Sequence, residues 1–338
     1  VRLDSHEAME SARFAMELVA VDVGGTHARF AIAWIRKGDG VSLTEPVVLA
    51  TDDYDSLQDA WRDFERRLGH AAPRAAAVAL AGPVNGPTIR LTNNRWTIQR
   101  DQLERELGLQ RLLLLNDFAA VTHTTACVDP NEFVRLAGPD RSLPETGTIS
   151  VIGPGTGLGV ACFSRDTVGY RVQATEGGHI GFAPLDAVED AILVRMRARC
   201  PRVSAERIIA GPGIVPIYET LAALRGVAAG LTTDRAIWDA GLQDVDPLAV
   251  DAVERFCMLL GGVAGDLALA HGANGVVIAG GLGYRIRERL LASAFGERFR
   301  AKGRYEAMMS DLPVKLLTHP QPGLLGAALA FAGKYGCD

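Results

Sequence analysis

The chain has 338 residues and a formal net charge of −5, long enough for about two domains of ordinary size with a core that needs no staples. With a pI near 5.9, its charge offers no support for nucleic acid or an anionic membrane as the main partner. Five cysteines (Cys127, Cys162, Cys200, Cys257 and Cys337) are odd in number, widely spaced and free of C-x-x-C spacing. They form neither a disulfide framework nor a zinc ribbon, and a reduced, cytoplasmic setting fits.

Residues 1–16 read as an amino-terminal extension, acidic and mixed, without the basic and apolar regions of a secretion signal. The apolar run Leu18-Val19-Ala20-Val21 then leads through Asp22-Val23-Gly24-Gly25-Thr26 into Ala28-Arg29-Phe30-Ala31-Ile32, which reads as a β-hairpin. Paired glycines at a tight turn let backbone N–H groups approach an anion, so this turn can cradle phosphate, with Asp22 beside a phosphate-bound Mg²⁺ through water. The plainer alternative is an ordinary Gly-Gly hairpin with an exposed Asp. A strand near 41–50, a helix from Ser56 to Leu68 and a strand from Ala75 to Leu80 come next, ending in the turn Ala81-Gly82-Pro83-Val84.

Leu112 to Leu115 reads as a strand covered on both faces, delivering Asn116-Asp117 to its carboxyl end. Open α/β sheets put their chemistry there. Either residue could instead merely cap the helix starting at Phe118. On that helix His123 and Cys127 lie four apart, but two ligands without partners make a poor metal site.

A second strand, turn and strand is present: Ile149 to Ile152, then Gly153-Pro154-Gly155-Thr156-Gly157-Leu158-Gly159, then Val160 to Phe163. The repeat suggests two α/β domains built on one plan and facing each other across a cleft. Neither turn has the G-x-G-x-x-G or G-x-x-x-x-G-K-[ST] order. Helical patterns cover Ala187 to Arg199, Ser204 to Leu224, Asp234 to Leu242 and Pro247 to His271. The arginines between Arg195 and Arg207 read as a solvated face. The apolar stretch from Met258 to Leu282 is broken by Asp266, His271 and Asn274 and is not a membrane span. Val276 to Ile278 forms another buried strand. It ends in Ala279-Gly280-Gly281-Leu282-Gly283, a candidate adenosine-side contact, before a helical pattern from Ile286 to Phe295. After Pro322 a helix rich in small residues, Gly323-Leu324-Leu325-Gly326-Ala327, is suited to close packing or to a hinge.

Taken in order, Asp22-x-Gly-Gly-Thr, Asn116-Asp117, Gly155-Thr156-Gly157, Ala279-Gly280-Gly281 and Gly-Leu-Leu-Gly-Ala resemble the sugar kinase, hexokinase and actin superfamily from about Leu18 onward. Within it, Thr175-Glu176-Gly177-Gly178-His179-Ile180-Gly181 and Val203-Ser204-Ala205-Glu206-Arg207-Ile208 resemble the bacterial glucokinase family. That resemblance implies an α/β fold of the two-domain actin-like ATPase (ribonuclease H-like) type. Its small α/β domain would comprise 17–127 and 320–338, its larger α+β domain 128–319. It also implies ATP-dependent phosphorylation of glucose with Mg²⁺, domain closure that excludes water, and a homodimer.

Carried over residue by residue, the resemblance makes Asp117 the catalytic base and Asn116, Glu176, His179 and Glu206 the holders of sugar hydroxyls, with Gly82 and Pro83 beside them. Gly24, Gly25, Thr26, His27, Gly155, Thr156, Gly157, Gly280 and Gly281 would serve the nucleotide. The residue chemistry agrees: adjacent hydroxyls, each donor and acceptor, call for several carboxylates and amides. The chain departs from its apparent family at His27, where the usual hairpin reads G-G-T-N-x-R. It also lacks the cysteine-rich zinc segment that a commoner branch of kinases and repressors carries, having no cysteine between His179 and Cys200. Alternatives are a kinase for another hexose, a silent sugar sensor, for which the amino-terminal extension is too short to hold a helix-turn-helix domain, or an actin-like ATPase. In the last, Glu176, His179 and Glu206 would have no reason to gather.

Overall fold

The computed structural model describes residues 14–36, 40–84, 86–91 and 94–336. Most of the amino-terminal extension and Cys337 lie outside them. The chain divides into two compact units: one ends at Val128 and resumes at His319, and the other is Asp129–Thr318.

In the first unit, β1 (Phe14–Val23) and β2 (His27–Arg36) pair antiparallel, joined by the glycine turn. β1 begins at Phe14, inside the span read as an extension. The single strand expected near 41–50 is two, β3 (Gly40–Leu43) and β4 (Val47–Ala50), both paired with β2. Between them Pro46, which has no N–H to give a ladder, interrupts the run. Thr44 there exchanges bonds with Ile32 through its hydroxyl and backbone. β5 (Ala75–Leu80) lies parallel to β1, a two-stranded ribbon of β6 (Thr88–Arg90) and β7 (Thr97–Gln99) comes next, and β8 (Arg111–Asn116) lies parallel to β5. The sheet order is β3-β2-β1-β5-β8.

Both faces of that sheet are covered, which explains the unbroken apolar runs. Val19, Val21, Leu112 and Leu114 pack with Leu57, Trp61 and Phe64 of the helix Leu57–Leu68. Leu18, Ala20 and Leu115 pack with Leu324, Ala327 and Phe331 of the helix Pro322–Tyr335. This last helix also packs on the helix Asp117–Cys127: a Cβ at Gly326 would lie 1.6 Å from the Ala120 carbonyl oxygen, so only glycine allows that approach.

In the second unit, β9 (Phe133–Ala137), β10 (Gly147–Pro154), β11 (Leu158–Arg165), β12 (Tyr170–Thr175), β13 (Gly275–Ile278) and β14 (Val314–Leu317) form a sheet in the order β12-β11-β10-β13-β14-β9. An antiparallel hairpin flanked by parallel neighbours recurs here, β10-β11 with β13 and β14. The 25-residue helix Pro247–His271, capped by Asp246, runs through the core of this unit. The helix expected from Ser204 to Leu224 is instead Ala205–Ile209, a 3₁₀ turn Gly211–Gly213 and Ile214–Arg225. Gly211-Pro212-Gly213 breaks it. The pattern from Ile286 to Phe295 likewise divides into Arg287–Ala292 and Phe295–Arg300, preceded by Gly281–Arg285. Among the described residues no helix is long and apolar enough to cross a membrane.

Candidate active site

Parallel pairing of β1, β5 and β8 brings their carboxyl ends to one sheet edge in the first unit. Asp22 sits opposite Ala79, and Leu80 opposite Asn116. Backbone bonds carry the alignment past the strands, Ala81 N–H donating to Val23 O at 3.1 Å. At Gly82 the chain turns with φ 129°, a conformation that favours glycine, and the Asn116 side-chain amide donates to the Gly82 carbonyl at 3.2 Å. The Asn116 side-chain oxygen accepts from Phe118 and Ala119 N–H, both at 3.0 Å, so it caps the helix. Capping and a role at the edge are therefore compatible: an Asn amide has two N–H donors, and Gly82 uses one. Asp117 accepts the Phe118 N–H at 2.8 Å, which fixes its carboxylate at the head of the same helix.

The first glycine turn is braced from one side. Gly24 N–H closes the turn on His27 O at 2.9 Å. Thr51 donates through its hydroxyl to Gly25 O at 2.9 Å and through its backbone to Thr26 O. A trans peptide points its N–H opposite its C=O, so the Thr26 N–H faces away from Thr51. Thr26 and His27 are exposed, with Thr26 Oγ1 and His27 Nδ1 3.0 Å apart. Asp22 lies behind them, half-buried and 3.6 Å from the Arg29 guanidinium. Burial pushes its carboxyl above the usual range against the pull of Arg29. Sequence reasoning missed one neighbour: a Cβ at Gly323 would lie 2.7 Å from the Asp22 carboxylate. The Pro-Gly-Leu-Leu-Gly segment carries that signal, but its small residues suit packing against another helix equally well.

In the second unit the two family-like segments are stitched together. Gly181 and Ser204 form a β-bridge, Ala205 N–H donates to Ile180 O at 2.8 Å, and Phe182 N–H to Val203 O at 3.1 Å. This brings His179 Nδ1 within 3.8 Å of Glu206 Oε1 and His179 Nε2 within 3.9 Å of Glu176 Oε2. Both distances exceed a hydrogen bond, so neither carboxylate is bonded to the ring, and a hydroxyl lying alongside either pair can accept from one group and donate to the other. His179 and Glu176 are both exposed. Glu206 is 31% exposed. The preceding Ser204 makes no side-chain cap, and Glu206 stands in the first turn of the short helix that follows it.

Gly155-Thr156-Gly157 lies directly against this cluster, because Leu158 N–H donates to Glu206 Oε2 at 3.0 Å. Gly280, at φ 87°, comes after β13 beside the same turn; a Cβ there would lie 3.3 Å from the Pro154 carbonyl oxygen. Gly281 is exposed next to it. Among the described residues no group of three or more His, Cys, Asp or Glu side chains could hold a metal ion alone. A lone carboxylate such as Asp22 nevertheless suits Mg²⁺, which keeps most of its waters and takes further ligands from phosphate.

A glucokinase family profile matches residues 18–334. The glucokinase of Zymomonas mobilis is 52% identical over 320 residues, which cover 95% of this chain and 99% of that one. The chain belongs to the glucokinase family. Among solved structures, a glucokinase from an Antarctic psychrotroph superimposes with a TM-score of 0.81 at 33% identity, covering 94% of this chain and 99% of that one. The glucokinase of Balamuthia mandrillaris, solved with glucose, gives 0.74 at 22% identity, over 96% of each chain, and bears on the fold alone. The fold is that of the two-domain, actin-like glucokinases.

Proposed function

We propose that this glucokinase-family protein transfers the γ-phosphoryl group of ATP to the 6-hydroxyl of glucose. The observation that carries the reading is the contact between two kinds of chemistry within one unit: Glu206 lies 3.8 Å from His179, the pair suited to hydroxyls, and bonds the residue next to a glycine turn suited to phosphate. Asn116, Glu176, His179 and Glu206 pair with the sugar hydroxyls, with Gly82 and Pro83 beside them. Asp117 accepts the proton of the attacking hydroxyl. The turns at Gly24-Gly25-Thr26-His27 and Gly155-Thr156-Gly157 present backbone N–H groups to the phosphates, and Gly280-Gly281 serves the adenosine side. Asp22 would hold Mg²⁺, through water, and the ion when bound would supply charge neutralisation to the phosphates. Phosphoryl transfer through a loose transition state depends chiefly on such positioning and neutralisation.

A cytoplasmic location and a homodimer belong to the same reading, and the oligomeric state is checked by sedimentation. The activity is tested with purified protein, Mg²⁺, ATP and a panel of hexoses in an assay coupled to ADP release, with sugar 6-phosphate identified directly. Glucose is expected to give the highest kcat/KM. A higher value for fructose, mannose or an acylated amino sugar would reassign the substrate, and ADP release without sugar phosphate would discard a sugar kinase.

A further inference from the structure

Three hydrogen bonds hold the second glycine turn. Gly155 N–H donates to Gly157 O at 2.8 Å, Gly211 N–H to Gly155 O at 2.7 Å, and Leu158 N–H to Glu206 Oε2 at 3.0 Å. Two of the three come from one short stretch, Ala205–Ile209 and the 3₁₀ turn after it, and Trp238 Nε1 anchors that stretch by donating to Gly211 O at 2.9 Å. The break at Gly211-Pro212-Gly213 thus has a local consequence: it lets a backbone N–H reach the turn. Packing is equally close. A Cβ at Gly157 would lie 2.7 Å from Glu206 Oε2, and one at Gly178 would lie 2.2 Å from Leu158 O. The Glu-Gly-Gly-His loop therefore rests on the residue whose N–H Glu206 holds, while Glu206 Oε1 faces His179.

We propose that Glu206, besides its place among the sugar hydroxyls, is a positioning residue for the nucleotide turn, coupling glucose and ATP affinity through one carboxylate. The inference rests on the proposed function and adds to it. A carboxylate has acceptor sites on both oxygens, so Oε1 can take a sugar hydroxyl while Oε2 keeps the Leu158 N–H. A hydroxyl bonded to Oε1 restricts the rotation of the group that sets the turn, so bound glucose leaves the turn ordered before nucleotide arrives. Such coupling is reciprocal: each ligand tightens the other by the same factor. If Glu206 were a sugar ligand alone, its removal would leave nucleotide affinity measured without sugar unchanged.

Calorimetric binding of glucose and of a non-hydrolysable ATP analogue with Mg²⁺, each alone and with the other present, separates the two cases. In the parent, glucose is expected to tighten the analogue by about fivefold or more. Glu206→Ala should weaken the analogue several-fold even without glucose. Glu206→Gln keeps an acceptor for the Leu158 N–H and should recover analogue affinity while glucose binding stays weak. Gly157→Ala, whose new methyl meets only the mobile end of Glu206, keeps the fold and should weaken glucose measured without nucleotide, although it lies in the nucleotide turn. The inference is overturned if Glu206→Ala and Glu206→Gln bind the analogue alike, or if folded Gly157→Ala keeps parental glucose affinity. Glu176→Gln is the control for the underlying reading. Weakened glucose binding there, with analogue binding unmoved in the Glu206 variants, sinks the coupling alone; unchanged glucose affinity in Glu176→Gln and both Glu206 variants sinks the sugar assignment itself.

Discussion

The Asn116 side chain is bonded to Gly82 through its amide, at 3.2 Å, and to the head of the adjoining helix through its oxygen. One residue therefore ties together the ends of β5 and β8 and keeps one N–H for a ligand. Asn116→Asp retains the capping oxygen but sets a carboxylate against the Gly82 carbonyl, whereas Asn116→Ala also loses the cap, costing about 1 kcal/mol. Both are expected to raise the glucose KM at least about tenfold, roughly the effect of losing one or two hydrogen bonds, with Asn116→Ala the less stable to heat. A parental glucose KM in Asn116→Asp would remove Asn116 from the sugar site.

Asp22 is a case where function and stability oppose each other. Its folded-state pKa is raised, chiefly by burial, so its contribution to stability is full below the ordinary value of 3.8 and is lost as pH rises through the raised value. Near pH 7 the ionised carboxylate thus weakens the fold. Asp22→Asn is expected to unfold at an equal or higher temperature than the parent near neutrality, an advantage that shrinks as pH falls, while the apparent Mg²⁺ requirement rises. A variant that is both less stable at pH 7 and normal in its Mg²⁺ dependence would contradict both halves.

His27 stands where the family pattern has Asn, with Nδ1 3.0 Å from the Thr26 hydroxyl. Depending on the tautomer, Nδ1 either accepts the Thr26 O–H or donates to its oxygen, so the imidazole sets where that hydroxyl points. An Asn here would offer an amide with two N–H donors instead. His27→Asn is expected to change the ATP KM several-fold and leave the glucose KM unchanged. An ATP KM equal to the parent's at fixed free Mg²⁺ would show that His27 is only a turn residue.

Burial lowers His123 to about 4 from the ordinary 6.5. In the window between those values the unfolded chain takes up a proton that the folded chain refuses, so stability falls as pH falls, by on the order of 2–3 kcal/mol across it. His123→Gln removes this titration, and its unfolding free energy should change less between pH 6.5 and 4 than the parent's. Equal slopes would assign the acid sensitivity to other groups.

Much of this arrangement is legible in the sequence because strand ends carry it. The apolar runs Leu18–Val21 and Leu112–Leu115 announce strands covered on both sides, and the polar residues at the end of each run must lie at the sheet edge, so Asp22 and Asn116-Asp117 can be named from the sequence. The closeness of Glu176, His179 and Glu206 comes only from resemblance, since no local rule predicts the Gly181–Ser204 bridge that joins their segments. Gly323 beside Asp22 escapes sequence reasoning for the same reason: the contact spans most of the chain. At Gly211-Pro212-Gly213 the signal is present, since Gly-Pro-Gly should end a helix, but the apolar periodicity on either side outweighs it and suggests one continuous helix.

Asp117 is the central claim, as the base for the sugar hydroxyl. Asp117→Asn keeps the size of the side chain and an oxygen for the Phe118 N–H but cannot take a proton. The most direct test measures kcat and the glucose dissociation constant on this one variant. A fall in kcat of roughly 10²- to 10⁴-fold, as for a lost general base, is expected with glucose affinity close to the parent's. A well-folded Asp117→Asn protein that turns over at nearly the parental rate would contradict it.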